Sequence, residues 1–293
     1  EDKVVNNKTF LEEVTENAID INGYDKVAPT SQTITMQVSG NEITFYYTKR
    51  GDLSYTIHYK EEGSNATLAE DKVKDNQVFG NVVDESPIVI DGYDIVDPGT
   101  IQIEITTGVN EHTFYYTKRT DLNYTVHYKE QGTNQELAED KFVDNKTFLD
   151  EITENAIEIN GYNKVNPTTQ TITMQVSGNE MTFFYTKRTD LSYTVHYKEQ
   201  GSNATLAEDK VVNNKTYLEE VTENAIDING YNKVNPTTQT ITMQVSGNEM
   251  TFYYTKRTDL SYTVHYKEQG SNATLAEDKV VNNKTFLEEV TEN

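Results

Sequence analysis

Between residues 190 and 258 the spacing of hydrophobic positions changes several times, and each change marks an element. Tyr193, Val195 and Tyr197 alternate with Thr194 and His196, the period-two pattern of a strand buried on one face. Glu199 to Asn203 carries Gly201 and reads as a turn, with a short strand following near Thr205 to Val211. Thr216, with Glu219 three residues on, has the form of a capping box. Tyr217, Leu218, Val221 and Ala225 then recur at helical spacing, which predicts a helix of about ten residues. Ile226 and Ile228 flank Asp227 in a third strand closed by Asn229-Gly230. After a turn at Pro236, Ile241, Met243 and Val245 alternate with Thr242 and Gln244. Ser246-Gly247-Asn248 reads as a hairpin turn before a last strand carrying Met250, Phe252 and Tyr254. The predicted order is strand, strand, helix, strand, strand, strand, an α+β layer arrangement with one helix covering one sheet face.

The same pattern returns along the chain. Tyr-Thr-Val/Ile-His-Tyr begins at Tyr55, Tyr124, Tyr193 and Tyr262, a constant period of 69 residues. Three complete, gapless repeats follow, at 52–120, 121–189 and 190–258. Residues 1–51 form a partial repeat lacking its first strands, and 259–293 one lacking its second half. The ends are complementary: Asp259 to Ala276 is the piece that 1–51 lacks, and Glu277 to Asn293 repeats Glu1 to Asn17 letter for letter. Either a longer array was cut in arbitrary phase or the ends complete each other between molecules, an end-to-end self-association. The repeat at 52–120 departs most: Val78 stands at the capping position, Gly80 enters the first helical turn and Pro87 falls near the helix end. A shorter or irregular helix is expected there.

Composition narrows the function. With 25 Lys and Arg against 48 Asp and Glu the net charge is −23, which repels phosphate backbones and anionic lipid heads and argues against nucleic-acid and membrane-surface roles. Twenty Tyr and ten Phe speak against disorder, although apolar residues make up only 35% and the core must be small or divided. No apolar run is long enough for a membrane span. The first residues lack the basic and apolar regions of a signal peptide, so any export signal lies outside this segment. The chain has no cysteine, which removes disulfides and thiolate metal sites without fixing a compartment.

The Tyr-Thr-Val-His-Tyr strand, the Gly-Tyr pairs Gly23-Tyr24, Gly92-Tyr93, Gly161-Tyr162 and Gly230-Tyr231, and the closing Asn-Glu-x-Thr-Phe-[YF]-Tyr-Thr-Lys-Arg string together resemble the mucin-binding protein (MucBP) repeats of Gram-positive surface adhesins. The resemblance covers essentially the whole chain. It implies tandem ubiquitin-like β-grasp domains, each a mixed sheet with one short helix, in the stalk of an adhesin attached to the bacterial cell wall. Host mucin or other glycans are the implied partners. The first and last strands of a β-grasp sheet are parallel neighbours, so each domain would take in the chain at one pole and release it at the other. With short connections such as Thr186 to Leu191, the array is expected to be a rod.

Candidate chemistry is sparse. His58, His127, His196 and His265 lie on the strand face opposite the Tyr-Val-Tyr stripe, where each either meets a ligand or pairs with a cross-strand neighbour. Tyr46, Tyr115, Phe184 and Tyr253 are out of phase with the core stripe of the last strand and should share that outer face. A sugar ring could stack there; the alternative is ordinary cross-strand packing. Asp91, Asp94 and Asp97 offer oxygen ligands to Ca²⁺ but lack an EF-hand loop pattern, so a solvated loop competes with that reading. No metal or cofactor is expected. With no phosphate loop, nucleophile elbow or pocket-forming insertion, neither is catalysis.

Overall fold

A computed structural model describes residues 2–292. The chain divides into two compact units. One holds the residues up to Tyr124 with Val143–Ile152 and Ile172–Asn179; the other holds Thr125–Phe142, Thr153–Thr171 and the chain from Glu180 onward. The 52–120 repeat lies wholly in the first unit and the 190–258 repeat wholly in the second.

The 190–258 repeat has six strands: Leu191–Glu199, Lys210–Lys215, Glu220–Asn224, Tyr231–Lys233, Thr238–Thr242 and Glu249–Lys256. The second, first, sixth and fourth form one sheet in that order, and the third and fifth pair separately. The first and sixth run parallel, with Val195 opposite Met250 and Tyr197 opposite Phe252. The second lies antiparallel to the first, and the fourth antiparallel to the sixth. Alternation builds the core. Leu191, Tyr193, Val195 and Tyr197 share the inner side with Met250, Phe252 and Tyr254, where Val221 of the smaller sheet and Ala225 and Met243, just past the ends of its two strands, join them. The Tyr254 hydroxyl donates to the Ile226 carbonyl at 3.0 Å, tying the last strand to the loop after the third. The 52–120 repeat uses Leu53–Glu61, Thr67–Gln77, Val82–Glu85, Tyr93–Ile95, Ile101–Glu104 and Glu111–Lys118 in the same arrangement. The strand order recurs in the 121–189 repeat.

There is no helix among the described residues, so the expected α+β fold with one helix per repeat, and the β-grasp assignment that needs it, are overturned: the chain is all-β. The capping contact exists, with the Thr216 amide donating to Glu219 Oε2 at 2.9 Å and the Glu219 amide to the Thr216 carbonyl at 3.0 Å. It closes a turn and nothing more. Leu218 takes a left-handed φ of 64°, which no helix accommodates. Val221, Glu223 and Ala225 then continue at period two, and the Glu220–Asn224 strand pairs antiparallel with Thr238–Thr242. The spacing Leu218, Val221, Ala225 fits either period, and β-branched Val221 and Thr222 favour the strand.

The expectation of an irregular helix at 78–87 falls with it. Gly80 (φ 74°) occupies the left-handed position that Leu149 and Leu218 fill elsewhere, so it is the residue best suited to that turn. The hairpin expected at Ser246-Gly247-Asn248 is a crossing between sheets, because the strand before it pairs in the smaller sheet and the strand after it in the larger.

Candidate functional site

In the complete repeats, strand parity puts the recurrent histidines and aromatics on the outer face of the four-stranded sheets. In the 190–258 repeat, Thr194, His196 and Lys198 face Glu249, Thr251 and Tyr253 across the parallel pair. His196 and Tyr253 therefore share a face but sit one register step apart, with Thr251 opposite the histidine and Lys198 opposite the tyrosine. The 52–120 repeat places His58 opposite Thr113 and Tyr115 opposite Lys60. In the 121–189 repeat His127 is opposite Thr182 and Phe184 opposite Lys129. The complete repeats thus bring together His58 with Tyr115, His127 with Phe184 and His196 with Tyr253. Tyr46 and His265, in the partial repeats, do not meet such a partner strand.

Each of the four recurrent histidines has at least one carboxylate neighbour. Nδ1 lies 2.9 Å from Asp71 for His58, 2.8 Å from Asp140 for His127, 2.9 Å from Asp209 for His196 and 2.9 Å from Asp278 for His265. In the complete repeats Nε2 also faces a glutamate of the last strand, Glu111 at 3.9 Å, Glu180 at 4.0 Å and Glu249 at 4.0 Å. These contacts orient the ring between two edge-facing acids and make the histidine a cross-strand tie. Among the described residues no group of three or more His, Asp or Glu side chains could hold a metal ion. Asp97 is engaged locally, its Oδ1 accepting the Gly99 amide at 3.1 Å.

The aromatics stand freer. Tyr46 is 70% exposed, Tyr115 40% and Tyr253 39%, and Phe184 is half-buried. Their backbone is held: the carbonyls of Tyr46, Tyr115, Phe184 and Tyr253 accept amides from Val27, Val96, Val165 and Val234 at 2.9–3.0 Å. A ring carried on a fixed strand beside Thr and Lys side chains can stack against a flat apolar face and accept polar contacts at its rim. It offers no enclosure. Two open clefts lie elsewhere, one lined by Asn22, Gly23, Tyr24, Arg50 and Asp52 and another by Asn160, Gly161, Tyr162, Arg188 and Asp190. In both, the arginine is committed to the aspartate two residues on, through Nε to Oδ1 at 2.9 Å and Nη2 to Oδ2 at 2.8 Å.

Two structural groups escaped the sequence reading. Glu85 is buried, accepting the Tyr55 hydroxyl at 2.5 Å and Lys72 Nζ at 2.7 Å. Burial pushes its carboxyl up, but the Lys72 and Tyr55 hydrogen bonds outweigh this and hold it below the usual value; Glu223, with Lys210 and Tyr193, behaves alike. Burial, then the bond to the acid, raises the Tyr55 and Tyr193 phenols to about 12. The second group is Asn248. Its Oδ1 accepts the Gln244 amide, and its Nδ2 donates to the Gln244 carbonyl at 2.8 Å and the Ser192 carbonyl at 3.2 Å. Only the recurrence of Asn110, Asn179 and Asn248 at fixed spacing could have flagged it.

No family model matches the chain, and no curated protein matches it in sequence. Solved structures do show likenesses. The Bacillus anthracis TIE protein is 12% identical with a TM-score of 0.32, the match covering 78% of this chain and 55% of that one. The type 2 repeat of the mucus binding protein MUB from Lactobacillus reuteri is 15% identical with a TM-score of 0.18, covering 46% of this chain and 100% of the repeat. The streptococcal ancillary pilin is 10% identical with a TM-score of 0.21, covering 70% of this chain and 99% of the pilin. The chain thus spans about half the length of the first of these.

Proposed function

We propose that the chain is a nonenzymatic repeat array of a bacterial surface adhesin, built from 69-residue modules that carry a distal domain away from the cell wall. One observation carries this reading: the first and last strands of a repeat pair in parallel, Thr194 to Glu199 alongside Glu249 to Tyr254. The chain therefore starts each module at one end and leaves it from the opposite end. Only three residues then separate Lys256 from the next strand at Leu260. Each module adds reach, about 30 Å for a nine-residue strand at ~3.3 Å per residue. The sequence resemblance to MucBP repeats supplies the surface setting. The neighbours named above, a mucus-binding repeat and an ancillary pilin among them, agree with that class without carrying it.

The test is reach. In-phase deletion of residues 121–189, or of both 121–189 and 190–258, from a surface-displayed protein should bring a distal epitope closer to the wall in equal steps. An unchanged epitope height would refute the spacer role.

A second reading, weak contact with mucin glycans, is supported by the exposed aromatics of the outer face. Repetition would then raise effective affinity through avidity. Replacing Tyr115, Phe184 and Tyr253 together by Ala should abolish retention on immobilised mucin while strand content stays the same. Retention equal to the unaltered chain would remove glycan contact through this face.

A further inference from the structure

The Gly-Tyr pairs have a physical role that the sequence pattern leaves blank. Gly23, Gly92, Gly161 and Gly230 all adopt φ between 80° and 84°. An aromatic ring from the following repeat lies directly on each: Phe79, Phe148, Tyr217 and Phe286. A Cβ added at any of these glycines would fall 2.4–2.5 Å from ring carbons, far inside van der Waals contact. The adjacent tyrosine closes the seat from the side. Tyr24 meets Phe79, Tyr93 meets Phe148, Tyr162 meets Tyr217 and Tyr231 meets Phe286 edge to face, with centroids 5.5–5.7 Å apart. Edge-to-face pairs in this range are favourable beyond their area.

The connecting backbone is pinned from both sides. Arg50, Arg119, Arg188 and Arg257 donate their amides to the carbonyls of Gly23, Gly92, Gly161 and Gly230 at 2.9–3.0 Å. Their own carbonyls accept the amides of Phe79, Phe148, Tyr217 and Phe286 at 2.8–2.9 Å. Each guanidinium is spanned by the aspartate two residues on, as at Arg119 and Asp121. A free hinge would leave this residue's amide and carbonyl to solvent; here both are used, one toward each repeat.

We infer that the Gly-Tyr pair is a docking surface whose partner is the aromatic of the next repeat, making each joint a fixed coupling. The surface selects its partner. Only glycine leaves room for the ring, and only a planar side chain lies flat on it. Phe and Tyr are interchangeable, because the ring meets the glycine through its face and edge carbons. Phe10, which occupies the equivalent position in 1–51, is 59% exposed, and its ring lies on none of the described glycines. The inference concerns the joint alone and stands whether or not the array serves an adhesin.

The cysteine-free chain suits a direct test. Nitroxide labels at Thr168→Cys and Ala204→Cys, both exposed positions on opposite sides of the joint, report the coupling by pulsed dipolar spectroscopy on the full chain. The unaltered joint should give one narrow distance distribution. Tyr217→Ala should broaden it at least twofold, and Tyr217→Phe should leave it narrow. Gly161→Ala disturbs the seat from the preceding repeat and should broaden it equally, which separates a lost coupling from unfolding of the 190–258 repeat. A broad distribution in the unaltered joint, or a narrow one in both Tyr217→Ala and Gly161→Ala, would overturn the inference.

Discussion

Replacing Glu85 by Gln probes the buried polar link inside a repeat. Glu85 is 6% exposed, and so is Tyr55, whose hydroxyl it accepts; Lys72, its other donor, is 39% exposed. The amide keeps the shape and can still accept from Tyr55, but a charge-assisted bond of about 1.5–3 kcal/mol becomes a neutral one of about 1 kcal/mol. The Lys72 share is smaller, about 0–1 kcal/mol, because the ammonium can turn to water. The expected loss is therefore about 1–2 kcal/mol, a roughly 5- to 30-fold rise in the open population. Glu85→Ala also orphans the buried Tyr55 hydroxyl, adding a desolvation cost of about 1–3 kcal/mol. Amide exchange read by mass spectrometry suits this site, because the 52–120 repeat diverges in sequence and yields peptides of its own. Peptides covering Leu53–Glu61 and Val82–Glu85 should lose protection together. The pH dependence has a definite sign. The folded carboxyl is held below its ordinary value, so its contribution is present above the unfolded pKa and disappears as pH falls through the depressed one. The difference between the unaltered protein and the Glu85→Gln variant should vanish in acid. Unchanged protection at neutral pH, or a difference that persists undiminished in strong acid, would show that the Glu85 carboxylate does not hold these strands together.

Other substitutions address the turns and the core. Asn248→Ala removes three hydrogen bonds that tie the inter-sheet crossing to Ser192 and should cost about 2–3 kcal/mol in denaturant unfolding; a loss under about 0.5 kcal/mol would remove its structural role. Gly80→Leu should cost about 1–2 kcal/mol for placing a side chain at left-handed φ, measured by the midpoint of the 52–120 repeat, and no change would contradict the strain argument. In alkali, Tyr55, Tyr185 and Tyr193 should ionise last, near their raised values of about 12, when phenolate absorbance is followed. A phenol raised in the folded state contributes stability that is complete below its ordinary pKa and lost as pH climbs through the raised one. Unfolding should therefore set in between about pH 10 and 12; full stability beyond that range would count against the burial of these rings.

The strands were readable where alternation is strict, as in Tyr193, Val195 and Tyr197, because a half-buried strand leaves period two in the sequence. The helix was misread where two periods overlap. Leu218, Val221 and Ala225 fit a helix, but the left-handed Leu218 and the β-branched Val221-Thr222 pair decide for a strand. Parity alone put His196 and Tyr253 on one face; their one-step offset needed the register, which depends on pairing across more than fifty residues. The Gly-Tyr pairs were visible as a motif and opaque as a device, since the ring that explains each glycine belongs to the next repeat. Asn248 looked like a turn residue because its partner Ser192 lies 56 residues away.

If each complete repeat takes the chain in at one end and releases it at the other, as its parallel first and last strands imply, then removing a repeat removes length. Small-angle X-ray scattering on the 293-residue chain and on a version lacking residues 121–189 tests it most directly. The expected result is a pair-distance function with a long tail whose maximum shortens by about 30 Å on deletion. A near-symmetric distribution whose maximum shrinks by only a few ångströms, as for a globule losing a quarter of its mass, would contradict it.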